Sequence, residues 1–451
     1  MFPAPPVSLW PDPDALGAAT DLYQVTMMAG YAQAGKDRDR ATFEMFVRRL
    51  PDDRSFLVFA GLEQAIGDLL RLAFSAEQVD AIRRLPALSG IAPSFFDSLL
   101  SLRFEGDVWA APEGSVVFAG EPLIRVEAPL SQAQWVETFL LASIGYPTLV
   151  ASKAARLVEA AQGRPVFDFG ARRGHGPHAG YLAARAAYIA GCAGTSHVEA
   201  AIRLGIPCVG TMAHSWVQAF PTEAEAFQTF AEIFPNASTL LVDTYDTEEG
   251  VRLAAAIEPP IQAIRLDSGD LSALAFQVRA ILDAAGRTSV KIIGSGDLNE
   301  AAIARLVAEG APFDSFGVGT DLITSRDAPS LSIVYKLVEL NGEGRIKRST
   351  GKKTYPMAKQ VYRFRDAAGR FSCDRVTKAD EKSDGVPLLV PIVRSGELVG
   401  PLPRLDAIRA YCREQLASLP EVLRGHDAKP LYPLAYSFAL EAEAERLVPL
   451  A

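Results

Sequence analysis

From about residue 164 onward the chain repeats one unit: a short apolar run, a polar or glycine-rich turn, then a helix-length segment. Val166-Phe167-Asp168-Phe169 opens the series, and further runs stand at 206–210, 239–243, 261–266, 290–294 and 314–318. Helical segments such as 223–234 and 271–285 lie between them. Spacings of roughly 25–30 residues suit strand–helix units, which demand a parallel sheet with right-handed crossovers. A closed barrel and an open doubly wound sheet share this rhythm. The barrel is the expectation, because two consecutive late runs end in the glycine turns Gly294-Ser295-Gly296-Asp297 and Gly317-Val318-Gly319-Thr320. The last two strand–helix loops of a barrel are a recurrent phosphate site.

The flanks read differently. Residues 1–160 mix a helix at 22–34, a strand at 41–47, a strand turn and helix at 55–72, and short strands at 108–110, 115–118 and 123–127. This is an α+β region. After Leu331 the alternation fails, with strands expected at 331–340 and 360–365 and a helix at 404–416. The expected domains are an N-terminal α+β domain (1–160, part of it packing with later segments), a catalytic α/β barrel (161–345) and a C-terminal extension (346–451). Residues 345–359 are rich in Lys, Arg, Ser and Thr. A solvated charged loop is the ordinary meaning of such a run; a mobile lid over an anionic nucleotide is the functional one.

With 451 residues, 49% apolar and 22% charged, the chain has the make-up of a multidomain globular protein. A net charge of -9 supplies no basic footprint for nucleic acid, so no nucleic-acid partner is expected. Its four cysteines, Cys192, Cys208, Cys373 and Cys412, lie far apart with no metal-ligand spacing, and read as buried thiols in a reducing compartment. Residues 1–10 show no signal-peptide pattern, and no apolar run reaches membrane-spanning length. The expected location is cytoplasmic, without a membrane partner.

The chemistry collects where runs end. Phe169-Gly170-Ala171-Arg172-Arg173-Gly174 offers glycines, a helix start and two guanidinium forks, a combination suited to phosphate or carboxylate. A plain exposed turn with surface arginines is an equal reading of it, and Phe169 alone reads as core. Arg265 and Asp267 close the run 261–266; a carboxylate there can hold a sugar diol, reach Mg²⁺ through water or stabilise positive charge on a sugar carbon. Asp267 could instead cap the helix from Leu271, as Ser268 or Asp270 could. His214, in Gly210-Thr211-Met212-Ala213-His214-Ser215, stands as core histidine, general base or phosphoryl acceptor. His175, His178 and His197 fall at other turns or helix starts and carry less weight.

Taken in order, Asp21-Leu22-Tyr23-Gln24, Phe169-Gly170-Ala171-Arg172-Arg173, Gly194-Thr195-Ser196, Gly210-Thr211-Met212-Ala213-His214-Ser215, Arg265-Leu266-Asp267-Ser268-Gly269-Asp270 and the two glycine turns closely resemble the nicotinate phosphoribosyltransferase family. The resemblance spans about 20–360, and the tail from about 365 resembles the extension of bacterial-type members. It implies the irregular α/β barrel of the type II phosphoribosyltransferases. It also implies condensation of nicotinate with phosphoribosyl pyrophosphate to nicotinate mononucleotide and pyrophosphate, in NAD biosynthesis. ATP would be a co-substrate, hydrolysed through a phosphohistidine, with Mg²⁺ as cofactor on ligands the resemblance leaves open. His214 matches the phosphorylated histidine and Phe169 the ring that stacks on the pyridine. Tyr23 matches an aromatic supplied by the partner in a head-to-tail homodimer. Arg172 and Arg265 match arginines at pyrophosphate and base, and Asp267 the ribose carboxylate. Gly294, Ser295, Gly296, Gly317, Gly319 and Thr320 fall in the turns matching the 5′-phosphate grip. Thr195 and Ser196, with Ser215 beside the histidine, fall among the substrate-binding positions. Nicotinamide-specific relatives carry aspartate at the position of Ser196, so its absence favours the carboxylate of nicotinate.

Three other readings compete. A nicotinamide-using relative is the near one. A barrel lyase would need a Schiff-base lysine, for which Lys291 is the in-strand candidate. A metabolite-binding protein would have no need of the lone histidine.

Overall fold

The computed structural model describes residues 12–347, 349, 354–425 and 431–447. The expectations for residues 1–10 and for part of the basic segment 345–359 lie outside them. The strand–helix repeat builds a six-stranded, all-parallel sheet in the spatial order Gly194–Thr195, Val166–Asp168, Ser315–Val318, Lys291–Gly294, Ala263–Leu266, Thr239–Leu241. First and last units are therefore neighbours: Val318 pairs with Asp168 and Gly317 with Phe167. That pairing curls the sheet into an irregular barrel, as expected for this fold class.

One expected strand is different. Residues 206–210 form only a single parallel bridge, Cys208 to Thr195. Pro207 has no N–H to give a ladder, and the barrel is open between this segment and Thr239–Leu241 among the described residues.

Each parallel strand is short because one alternation suffices. In Ala263-Ile264-Arg265-Leu266, Ile264 and Leu266 are fully buried, while Arg265 keeps partial exposure. Burying each such aliphatic side chain contributes about 1.5–3 kcal/mol. Three of the helices that follow the strands start on carboxylate or amide side-chain caps: Asp246, Asp270 and Asn299 accept the backbone N–H of Glu249, Ala273 and Ala302. Asp270 thus takes the capping task that Asp267 could have taken, and leaves Asp267 free of it.

A seven-stranded antiparallel sheet stands beside the barrel, in the order Glu343–Gly344, Ile333–Leu340, Arg40–Val47, Pro122–Pro129, Asp107–Ala110, Val390–Arg394, Glu397–Leu398. It gathers strands from before the barrel, directly after it and the C-terminal part. A four-stranded sheet holds Val386–Pro387, Lys359–Arg365, Phe371–Lys378 and Leu434–Tyr436.

The 24-residue helix Glu137–Ala160 joins the two cores. Its Leu140 and Ile144 belong to the core of the antiparallel sheet, whereas Val150, Ala151, Ala154 and Leu157 belong to that of the barrel. Pro147 interrupts it at the changeover, where a missing N–H loosens the helical ladder. No described helix is long and apolar enough to cross a membrane.

Candidate active site

A cleft of about 790 Å³ opens at the C-terminal ends of the parallel strands. Its walls include Phe169, Arg172, Ser196, His214, Arg265 and Asp267. Its floor carries Ser295, Gly296, Gly317, Gly319 and Thr320 from the two glycine turns. Residues 169 to 320 in sequence thus meet at one rim, because every parallel strand delivers its following turn to the same end of the sheet.

Arg265 organises the centre. Its Nε donates to Ser295 Oγ at 2.9 Å and one terminal nitrogen to Thr211 Oγ1 at 2.7 Å, while the other stands 3.0 Å from Asp267 Oδ1. Ser295 Oγ lies 2.6 Å from the same carboxylate oxygen. The guanidinium carbon sits 6.0 Å from the centre of the Phe169 ring, so cation and aromatic face flank one slot. Partial burial works against the charge of Asp267, but the Ser295 hydroxyl and Arg265 outweigh it, with His214 adding a smaller pull, and the carboxyl is held below its ordinary range.

His214 begins the short helix His214–Gln218, and its Nδ1 lies 3.1 Å from Thr244 Oγ1. With that nitrogen as the N–H donor, Nε2 keeps its lone pair. Asp243, the residue before Thr244, accepts the Asp267 N–H at 3.0 Å and the Ser268 hydroxyl at 2.7 Å through Oδ2. Its other oxygen, Oδ1, is buried without a hydrogen-bond partner.

The glycines are demanded by close approach. A Cβ on Gly296, whose φ is +85°, would lie 1.8 Å from the Asp267 carbonyl oxygen. A Cβ on Gly317 would lie 2.4 Å from the Phe169 ring. Gly317 therefore makes room for the aromatic wall as well as lining the floor.

Four candidate residues stand outside the cleft lining. Gly294 is buried in its strand, where a Cβ would press on the Phe313 ring at 3.0 Å. Thr195 is fully buried and its hydroxyl donates to Asp168 at 2.8 Å, so it stands behind the wall that Ser196 presents. Ser215 is exposed on the helix that His214 starts. Tyr23 is 47% exposed on the helix Leu22–Gln33, and its hydroxyl is pushed up to about 12 by partial burial and the Glu137 carboxylate.

Several site residues were not singled out from sequence. Asp168 is fully buried, takes the Gly170 N–H at 2.8 Å and so fixes the turn after Phe169; burial pushes its carboxyl up despite that bond. Asp243, Thr244 and Thr211 are the others. Asp168, Asp243 and Thr244 sit at run ends, the same signal that marked Asp267. The cysteine expectation needs correcting too: Cys192 and Cys412 are buried, but Cys208 is exposed and lines the cleft, because its segment makes one bridge instead of a strand. Lys291 is exposed at the opposite, N-terminal end of its strand, away from any enclosed carbonyl site. His197 caps the helix Val198–Leu204 by accepting the Ala200 N–H.

A curled parallel sheet with a polar, arginine-bearing cleft at its strand ends, flanked by a separate antiparallel sheet, is an arrangement that known proteins share. Family models match the nicotinate phosphoribosyltransferase N-terminal domain over residues 19–145, the family proper over 165–376 and its C-terminal domain over 383–442. A nicotinate phosphoribosyltransferase of Mycobacterium tuberculosis is 46% identical over 438 residues, covering 95% of this chain and 93% of that protein. One from Bacillus subtilis is 41% identical over 372 residues, covering 80% and 75%. Human nicotinic acid phosphoribosyltransferase superposes with a TM-score of 0.85 at 30% identity, covering 95% of this chain and 99% of that one. The chain belongs to the nicotinate phosphoribosyltransferase family.

Proposed function

We propose that this chain transfers the phosphoribosyl group of phosphoribosyl pyrophosphate to the ring nitrogen of nicotinate, in NAD biosynthesis. The products are nicotinate mononucleotide and pyrophosphate, and ATP hydrolysis is coupled through a phosphate carried on His214. The observation that carries this reading is the convergence of Phe169, Arg265, Asp267, both glycine turns and His214 on one cleft.

Nicotinate stacks on Phe169, and Arg172 and Arg265 meet its carboxylate and the pyrophosphate. Ser196 leaves that part of the wall uncharged, which suits a carboxylate better than an aspartate would. The turns around Gly296 and Gly319 take the 5′-phosphate, and Asp267 takes the ribose. The carbon–oxygen bond to pyrophosphate breaks with its electron pair leaving on the pyrophosphate, while the pyridine lone pair forms the new carbon–nitrogen bond. The sugar carbon becomes oxocarbenium-like in between, so Asp267 stabilises it and the guanidinium groups stabilise the departing charge.

Mg²⁺ fits this donor set. The partnerless Oδ1 of Asp243 and the carboxylate of Asp267 are hard oxygen ligands. Because the described residues contain no cluster of three metal-binding side chains, the remaining positions would fall to phosphate oxygens and water. The ion would supply charge neutralisation for the pyrophosphate.

Tyr23 lies outside the cleft, which suits a role in the site of a second copy within a homodimer. Mixed Tyr23→Ala and Asp267→Asn chains, each inactive alone, are expected to recover about a quarter of wild-type activity as hybrid dimers; no recovery would remove the shared site.

Product analysis tests the whole. With nicotinate, phosphoribosyl pyrophosphate, Mg²⁺ and ATP present, nicotinate mononucleotide accumulates. Omission of either of the first two abolishes it, and omission of ATP lowers it. Turnover of nicotinamide without turnover of nicotinate would overturn the assignment.

A further inference from the structure

Lys153 lies on the long helix that joins the two cores, with its side chain 1% exposed. Its ammonium is 2.6 Å from Glu300 Oε2, 2.7 Å from Asp321 Oδ1 and 3.0 Å from Asp327 Oδ1. Two of these carboxylates stand beside the glycine turns. Glu300 is the first residue of the helix Glu300–Ala308, three positions after Asp297. Asp321 directly follows Gly319-Thr320.

Among the described residues, Lys153 is the one cation within ion-pair distance of Asp321. Arg156 reaches Glu300 at 3.5 Å and Asp327 at 3.0 Å, and Arg54 pairs with Asp327 at 3.1 Å. Among the described residues, three cations therefore face three carboxylates.

We infer that Lys153 is a positioning residue for the phosphate cradle: it ties the segments after both glycine turns to one point and cancels carboxylate charge beside the bound phosphate. The inference rests on the reading that these turns grip the 5′-phosphate. Two acids next to a phosphate dianion would repel it across a poorly screened interior. One ammonium shared between them removes that repulsion and sets the spacing of the turns. Burial works against the charge of Lys153, but the Glu300 and Asp321 carboxylates outweigh it, so the ammonium persists. Stability alone is a poor reason for such a cluster, since buried ion pairs often yield to apolar replacements without loss.

The test uses the full-length enzyme with ribose 5-phosphate and pyrophosphate as separate inhibitors. Lys153→Met is expected to weaken inhibition by ribose 5-phosphate and raise KM for phosphoribosyl pyrophosphate by about tenfold. Inhibition by pyrophosphate and KM for nicotinate should change less than about twofold. The double variant Lys153→Met/Glu300→Gln, which restores the balance of charges, should regain most of the loss. Asp321→Asn keeps the shape, removes a negative charge and should strengthen ribose 5-phosphate inhibition, which keeps the inference open to refutation if Lys153→Met does not fold. A merely structural lysine would lower Tm and affect both inhibitors alike. Equal ribose 5-phosphate inhibition of wild type, Lys153→Met and Asp321→Asn overturns this inference alone. A wild type that ribose 5-phosphate does not inhibit at all overturns the cradle reading and this inference with it.

Discussion

Asp267→Asn is expected to lower kcat/KM for phosphoribosyl transfer by about three orders of magnitude, ~4 kcal/mol of transition-state stabilisation. Three features set the size of the effect. The carboxylate lies at the end of its strand with Arg265 at 3.0 Å and Ser295 at 2.6 Å, so its orientation is fixed before substrate arrives. Its negative charge is what an oxocarbenium-like carbon needs, and asparagine removes the charge while keeping the shape. Arg265 would then face the cleft without its nearest counter-charge and be drawn toward the pyrophosphate. Because Ser295 and Arg265 depress the pKa, the charge persists through neutral pH and below the usual carboxylate range. The sign for stability follows. A depressed folded-state pKa contributes stability that is fully present above the unfolded-state value and is lost as pH falls through the folded one. Steady-state kinetics beside a thermal melt at neutral pH checks this. The variant should melt somewhat below wild type at neutral pH, because it loses that contribution, yet stay folded at the assay temperature, and a loss of activity under threefold would refute the assigned role.

How much of this was legible in the sequence can be seen residue by residue. Arg265, Asp267 and the turns at Gly296 and Gly319 were legible because each directly follows or ends an apolar run, and a parallel sheet sends every run end to one rim. Asp243 and Asp168 carry the same positional signal, but Asp243 has no distinctive neighbours and Asp168 is overshadowed by the arginine-bearing turn that follows it, so both read as ordinary strand residues. Their importance lies in what they bond: Asp243 supports Asp267 and Ser268, and Asp168 secures the turn after Phe169. Residues 206–210 show the converse, an apolar run that looks like a strand but, among the described residues, makes only one bridge to the sheet. The seven-stranded sheet was the least legible part. Pairing of Val390–Arg394 with Asp107–Ala110 joins segments nearly three hundred positions apart, with a register irregularity between Pro391 and Val393. Local periodicity carries no information about such partners. Lys153 was illegible for the same reason, since its three carboxylates come from segments 147 or more positions later.

If the proposed ATP coupling runs through His214, His214→Ala is expected to abolish labelling of the protein by γ-labelled ATP and to lower kcat/KM in the presence of ATP by about 100-fold. Chemistry narrows the role of the imidazole. The pyridine nitrogen of nicotinate carries a lone pair and no proton at neutral pH, so its attack on the sugar carbon leaves nothing for a general base to remove. That leaves room for the relay which the family resemblance implies, in which the Nε2 lone pair would take the γ-phosphoryl group, ADP would depart, and water would later cleave the phosphorus–nitrogen bond to return imidazole and phosphate. Thr244 fits this scheme, because an Nδ1–H donated to its hydroxyl at 3.1 Å keeps the lone pair on Nε2. Thr244→Val should accordingly slow labelling by about tenfold without preventing it, the cost of losing one hydrogen bond that selects the tautomer. Labelling of His214→Ala equal to that of wild type would exclude the relay and return the residue to a purely structural part.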